Sequence, residues 1–255
     1  MEQAKEKKYL GVSRNVFFLG WVSFLTDVSS EMIFNVLPLF LLNVLKVGTP
    51  IIGLIEGIAE GTASLFKLVS GWLSDRLGQR KGLTVFGYAL STVSKPFLYI
   101  ASSWSVVLAV RFTDRVGKGV RDAPRDALVA DSTTDTERGR SFGFHRGMDT
   151  AGAVLGIGLA ALVVYLVERE GLQLTRHAFQ TLVLSGIGPA VLAVLILLFF
   201  VRERKKRAQQ KPGEPIAAPK VLEAATKVKL DVRFKLFLVM MVLFTLGNSS
   251  DAFLI

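Results

Sequence analysis

Apolar residues along this chain come in long blocks rather than in alternation. Seven blocks run at about 14–45, 50–74, 83–101, 104–127, 141–167, 177–201 and 233–255. Most approach or exceed the roughly 20 residues that cross a bilayer core as a helix. A transmembrane strand needs about ten residues of strict alternation, and these blocks have neither that length nor that period. Connections are short, apart from one polar segment at 202–232. The pattern predicts an all-α, polytopic transmembrane helical bundle: six helices in 1–201, a linker at 202–232, and a seventh helix at 233–255. The seventh block echoes the first, with Ser249-Ser250-Asp251 answering Ser29-Ser30-Glu31. Six spans, a linker and a restart are what a protein of two parallel repeats would show. The chain ends at Ile255 within that restart, so a fragment of a longer protein is expected.

Composition agrees with the bundle and charge orients it. Of the residues, 51% are hydrophobic and the net charge is +10. Twenty of the 31 Lys and Arg fall on one side: the N-terminus, the turn at 75–82, Arg138 and Arg140, and the stretch from Arg202 to Lys235. Lys46, Arg169 and Arg176 are the three on the other side. By the positive-inside rule the N-terminus and the basic linker are cytoplasmic. The basic charge is thereby topological, with attraction to anionic headgroups, and nucleic acid is excluded as a partner. The N-terminal block follows Lys5, Lys7 and Lys8 as a signal peptide would, but it is too long and carries Asp27 and Glu31; it reads as a retained span. There is no cysteine, which excludes disulfides and thiolate metal sites. With two His and no metalloprotease, nucleophile-elbow or P-loop motif, neither an enzyme, a metal, a cofactor nor ATP-driven transport is expected.

Ionisable residues inside the blocks are costly and usually face a cavity or each other. The acids are Asp27, Glu31, Glu56, Glu60, Asp114 and Asp149; the bases are Lys67, Lys95, Arg111, Arg115, Lys118 and Arg146. Helical phase places Ser23, Asp27, Ser30 and Glu31 on one face of the first span, and Glu56, Glu60 and Lys67 on one face of the second. The fourth span carries an arc from Arg111 to Asp126, with opposite charges three or four residues apart: Asp114–Lys118, Lys118–Asp122, Arg111–Asp114 and Asp122–Arg125. These groups either hold helices together or serve transport. Asp27 and Glu31 have no base within a turn, and burial without a fixed counter-charge lets a carboxylate exchange a proton. His145, one turn from Asp149, titrates near neutral pH in its ordinary state. Two small-residue stripes, Gly53-x3-Gly57-x3-Gly61 and Gly152-x3-Gly156, predict close helix approach.

Between the second and third blocks stands Gly71-Trp72-Leu73-Ser74-Asp75-Arg76-Leu77-Gly78-Gln79-Arg80-Lys81. It resembles the signature loop of the major facilitator superfamily, Gly-x-Leu-(small)-Asp-Arg-x-Gly-Arg-Lys, with Gln79 where Arg is commoner. Arg111-x5-Gly117-x-Gly119 is similar to the family's fourth-span motif, whose Arg is implicated in proton transfer. Gly152-x3-Gly156-Ile157-x-Leu159 is similar to its antiporter motif but lacks the Pro and the last Gly. Ile33 to Pro38 resembles the first-span motif of drug exporters, with its acid displaced to Glu31.

The resemblance implies a secondary active transporter of the cell inner membrane that moves a small-molecule substrate by alternating access, by proton-coupled efflux. A proton symporter or uniporter for a metabolite, and a non-transporting half-transporter serving as sensor or scaffold, are the alternatives. It implies a substrate and proton cavity at Asp27, Glu31, Glu56, Glu60, Arg111, Asp114, His145 and Asp149. It also implies a conformational latch at Gly71, Asp75, Arg76, Gly78 and Arg80, closing on Asp126 or Asp131. The expected partners are protons, the lipid bilayer, the solute and, for a fragment, the C-terminal half of the same transporter.

Overall fold

The computed structural model describes residues 8–168, 174–203, 236, 237 and 239–241. The chain divides into two compact units, Met1–Arg204 and Lys205–Ile255. In the second unit the five described residues, Leu236, Phe237, Val239, Met240 and Met241, are helical and exposed. The rest of the expected linker and seventh span, with the Ser249-Ser250-Asp251 echo, lies outside the described residues.

The first unit opens on a two-residue antiparallel ladder, β1 (Lys8–Tyr9) with β2 (Val12–Ser13), in a chain otherwise expected to be all-α. Leu10 and Gly11, at φ 49° and 78°, turn it; two successive positive φ values suit a tight hairpin. Ser13 then caps α1 (Arg14–Phe34), accepting the Val16 N–H at 3.4 Å. The first apolar block is broken rather than continuous. Pro38 has no N–H to offer the carbonyl of Phe34 and its ring crowds that carbonyl, so α1 stops there and α2 (Leu37–Asn43) follows a two-residue turn.

α3 (Thr49–Leu77) ends on Gly78, whose φ of 63° is the left-handed C-terminal stop. α4 (Arg80–Ser94) is shorter than its block because Pro96 tightens the chain into a 3-10 turn at Lys95–Leu98. α5 (Trp104–Asp131) runs past the expected end at 127, through Pro124. α6 (Arg138–Val167) and α7 (Arg176–Phe200) complete the unit.

The helices pack as a curved row. α3 lies on α5, α5 on α4, α4 on α7, α7 on α1 and α1 on α6. Glycine decides two of the seams. A Cβ on Gly87 or Gly117 would sit 2.5–2.6 Å from the other residue's carbonyl oxygen, so α4 and α5 meet backbone to backbone. Gly156 likewise faces the Val28 carbonyl, which fulfils the expected α6 stripe. The α3 stripe does not behave that way. Gly57 and Gly61 face open space, because α3 turns Ala63 and Ser70, not these two glycines, toward α5.

Apolar clusters fill both ends, with Phe40 stacked on Phe179 at 3.9 Å in one and Leu19, Tyr88, Leu128 and Leu197 buried in the other. Leu155, Ile157, Tyr165 and Phe199 point outward, a surface suited to lipid rather than water. Arg14–Asn43, Asp135–Val167 and Arg176–Phe200 are each long and apolar enough to cross a membrane. Glu56 and Glu60 of α3 are turned to Arg111 and Arg115 of α5 across their shared seam.

Candidate functional site

A polar cavity of about 80 Å³ opens between α1 and α5. Asp27, Ser30, Glu31, Phe34 and Asn35 line one side; Arg111, Asp114, Arg115, Lys118 and Arg121 line the other. The α1 face expected from helical phase is thus one wall. The other is the charged arc of α5, but its partners are not the ones expected. Of the four pairs within α5, Asp122–Arg125 alone lies within 4 Å, at 3.9 Å, among the described residues. The long guanidinium groups instead cross to α3, where carboxylates give better geometry than a neighbour on the same helix. Arg111 donates twice to Glu56, Nε to Oε1 at 3.1 Å and Nη2 to Oε2 at 2.5 Å, and lies 4.2 Å from the Phe34 ring centre. Arg115 meets Glu60 at 3.0 Å.

Within the cavity the three acids differ. Asp114, 3% exposed, accepts a hydrogen bond from the Ser91 hydroxyl of α4. Glu31 accepts from the Asn35 amide at 2.7 Å. Asp27 has no hydrogen bond or ion pair among the described residues. Behind the wall is Lys95, fully buried in the 3-10 turn. It donates to the hydroxyls of Ser29 at 2.7 Å and Ser30 at 3.1 Å. Lys95, one of the charges within the apolar blocks, and Arg121, within the α5 arc, are not among the residues expected at the site. The signals were a lysine before proline inside an apolar block, and the paired serines of α1 that receive it.

His145 and Asp149 do not line the cavity. His145 Nδ1 lies 3.6 Å from Asp149, which Arg146 also contacts at 3.3 Å. Arg146 reaches on to Asp126 at 3.5 Å, and Asp126 pairs with Arg125 at 3.1 Å. Arg125 donates to the Ser23 hydroxyl at 3.0 Å, tying α1, α5 and α6 into one cluster.

At the loop, Gly71 of α3 faces the Ala123 side chain of α5. Arg80 bonds Asp131, donates to the Ala127 carbonyl at 3.0 Å and lies 3.6 Å from Asp75. Arg76 stacks over Trp72. Glu203 accepts the Arg80 and Lys81 N–H groups at the start of α4, at 2.5 and 3.4 Å; a carboxylate there offsets unpaired donors and the helix dipole. The Asp75 side chain remains 76% exposed.

The family model described as Major Facilitator Superfamily matches residues 19–255. The chain belongs to the major facilitator superfamily. It is therefore a multi-pass helical membrane protein of a transporter family, not an enzyme. An uncharacterized transporter of this superfamily from Methanocaldococcus jannaschii is 34% identical over 246 residues, covering 96% of this chain and 56% of the relative. A multidrug resistance protein of Photorhabdus laumondii is 26% identical over 179 residues, 70% of this chain and 42% of its own length. A crystal structure of a POT family transporter in complex with 5-aminolevulinic acid superposes with a TM-score of 0.68 at 16% identity, over 96% of this chain and 49% of that one. The last likeness is one of fold. The chain spans about half the length of the curated relatives it matches.

Proposed function

We propose that this chain supplies one wall of the central cavity of a secondary active transporter in the cell inner membrane. Its N-terminus and basic linker are cytoplasmic, and 202–232 joins it to a second bundle. It exports a small organic solute by alternating access, coupled to protons. The observation that carries the coupling is Asp27: a carboxylate with no bonded partner among the described residues, in a small polar cavity that also holds four basic side chains. Such a group gains or loses a proton as its surroundings change. The Arg80–Asp131 contact, with exposed Asp75 beside it, supports a latch at the loop. The likeness to a multidrug resistance protein supports the outward direction.

The test uses the full-length protein in proteoliposomes with an imposed pH gradient, and ethidium and benzoate as cationic and anionic probes. Gradient-driven flux of at least one probe is expected, and Asp27→Asn is expected to abolish it with the protein still folded. Undiminished flux in Asp27→Asn overturns the role of Asp27.

A further inference from the structure

We propose that Arg111, Arg115 and Arg121 form a binding subsite for the oxyanion group, carboxylate or phosphate, of an organic anion carried through the cavity. The inference rests on the transport reading above and names its substrate class. Four guanidinium nitrogens at this flank are buried with no acceptor among the described residues: Nε and Nη1 of Arg121, Nη1 of Arg111 and Nε of Arg115. Arg111 and Arg121 are each 4% exposed. A buried donor left unpaired costs about 1–3 kcal/mol, more when charged. Four of them on three neighbouring side chains call for an occupant that only accepts.

The donors are also held in place. Arg121 lies over the Tyr88 ring, 4.4 Å from its centre. Arg111 is fixed by its two bonds to Glu56 and by Phe34. A fork fixed before binding loses less freedom on capturing an oxyanion than a mobile one does. Lys118 lines the same flank and has no carboxylate within 4 Å among the described residues. Asp114 and Glu31 each already accept a hydrogen bond, from Ser91 and Asn35, and Asp27 is the cavity carboxylate with no partner among the described residues. About 80 Å³ accommodates one oxyanion in place of a few waters.

The experiment measures thermal unfolding of the purified full-length protein in detergent, titrated at constant ionic strength with benzoate, phenyl phosphate or tetraethylammonium. Ligand that binds the folded state raises Tm in a saturable way. At least one of the two anions is expected to do so and the cation is not; which anion acts tells carboxylate from phosphate. Arg121→Gln is expected to weaken the anion at least about tenfold, while Arg138→Gln, at a surface pair with Asp135, leaves it unchanged. If Arg121→Gln does not fold, Arg115→Gln decides, since its Glu60 partner is 63% exposed and stays hydrated. No saturable shift with either anion means that water satisfies the donors, and overturns the subsite. So does an anion shift that survives both substitutions. Asp27-dependent flux of ethidium without any anion effect keeps the transporter and loses the subsite. Anion binding without gradient-driven flux does the reverse.

Discussion

The loop end of the bundle and the cavity between α1 and α5 both gather acids and bases, and they partner them differently. Around the loop and the adjoining stretch of α5 and α6, Asp75, Asp122, Asp126, Asp131 and Asp149 each have a basic group within 4 Å. In the cavity Asp27 and Lys118 have none among the described residues, and Arg121 stacks on a ring without a single hydrogen bond. Removing charge from water costs several kcal/mol per ion unless a partner compensates it. The paired end uses its charges mainly to join helices, with His145 Nε2 and Asp149 Oδ1 the buried atoms of that cluster left without a partner among the described residues. The cavity keeps valence unfilled, as a site must if a proton or a solute is to enter it and leave again.

The largest effect is expected from breaking the paired end. Arg125 is 7% exposed and binds Ser23, Asp122 and Asp126. Arg125→Ala leaves those carboxylates facing each other and is expected to cost about 3 kcal/mol of stability, read as a lowered Tm of the full-length protein in detergent. The cavity gives the contrast. Arg121→Gln removes a buried cation that has no bonded partner, so stability is expected to hold to within about 1 kcal/mol or to rise. A loss as large as that of Arg125→Ala would mean that Arg121 is as firmly partnered as the loop network, and the distinction between the two regions would fall.

The same contrast marks what was legible in the sequence. The helical character of the blocks and the acid face of α1 follow from block length and 3.6-residue phase, because both are local, whereas the break of the first block into α1 and α2 turns on Pro38. The loop was readable because its Gly78 stop and charged turn sit within eleven residues. The pairing of α5 was not. Arg111 and Arg115 lie 55 residues along the chain from Glu56 and Glu60; a spacing rule offers Arg111 the nearer Asp114 first and offers Arg115 no acid three or four residues away. The α3 glycines misled for a related reason: a small-residue stripe permits close approach, but which face of a helix finds a neighbour is decided by the other helices. Lys95 was hidden by Pro96, whose 3-10 turn changes the direction of the side chain before it.

Asp75 is the smallest expected effect on stability, and the one that separates a latch from a surface ion pair. Its carboxylate is 76% exposed and 3.6 Å from Arg80, whose stronger partner is Asp131. An exposed pair of this kind contributes less than about 1 kcal/mol, so Asp75→Ala is expected to leave Tm nearly unchanged. Its exposure also leaves it free to accept hydrogen bonds from donors beyond this bundle, and a contact made in one transport state alone biases the balance between states without adding to the stability of both. Accessibility labelling of single cysteines placed along the cavity wall of the full-length protein is therefore expected to shift in Asp75→Ala. An equal shift in Asp75→Asn would mean that charge is needed as well as hydrogen-bonding oxygen. Unchanged labelling in both variants would make the Asp75–Arg80 pair an ordinary surface contact, and leave Arg80–Asp131 as a helix tie with no part in switching.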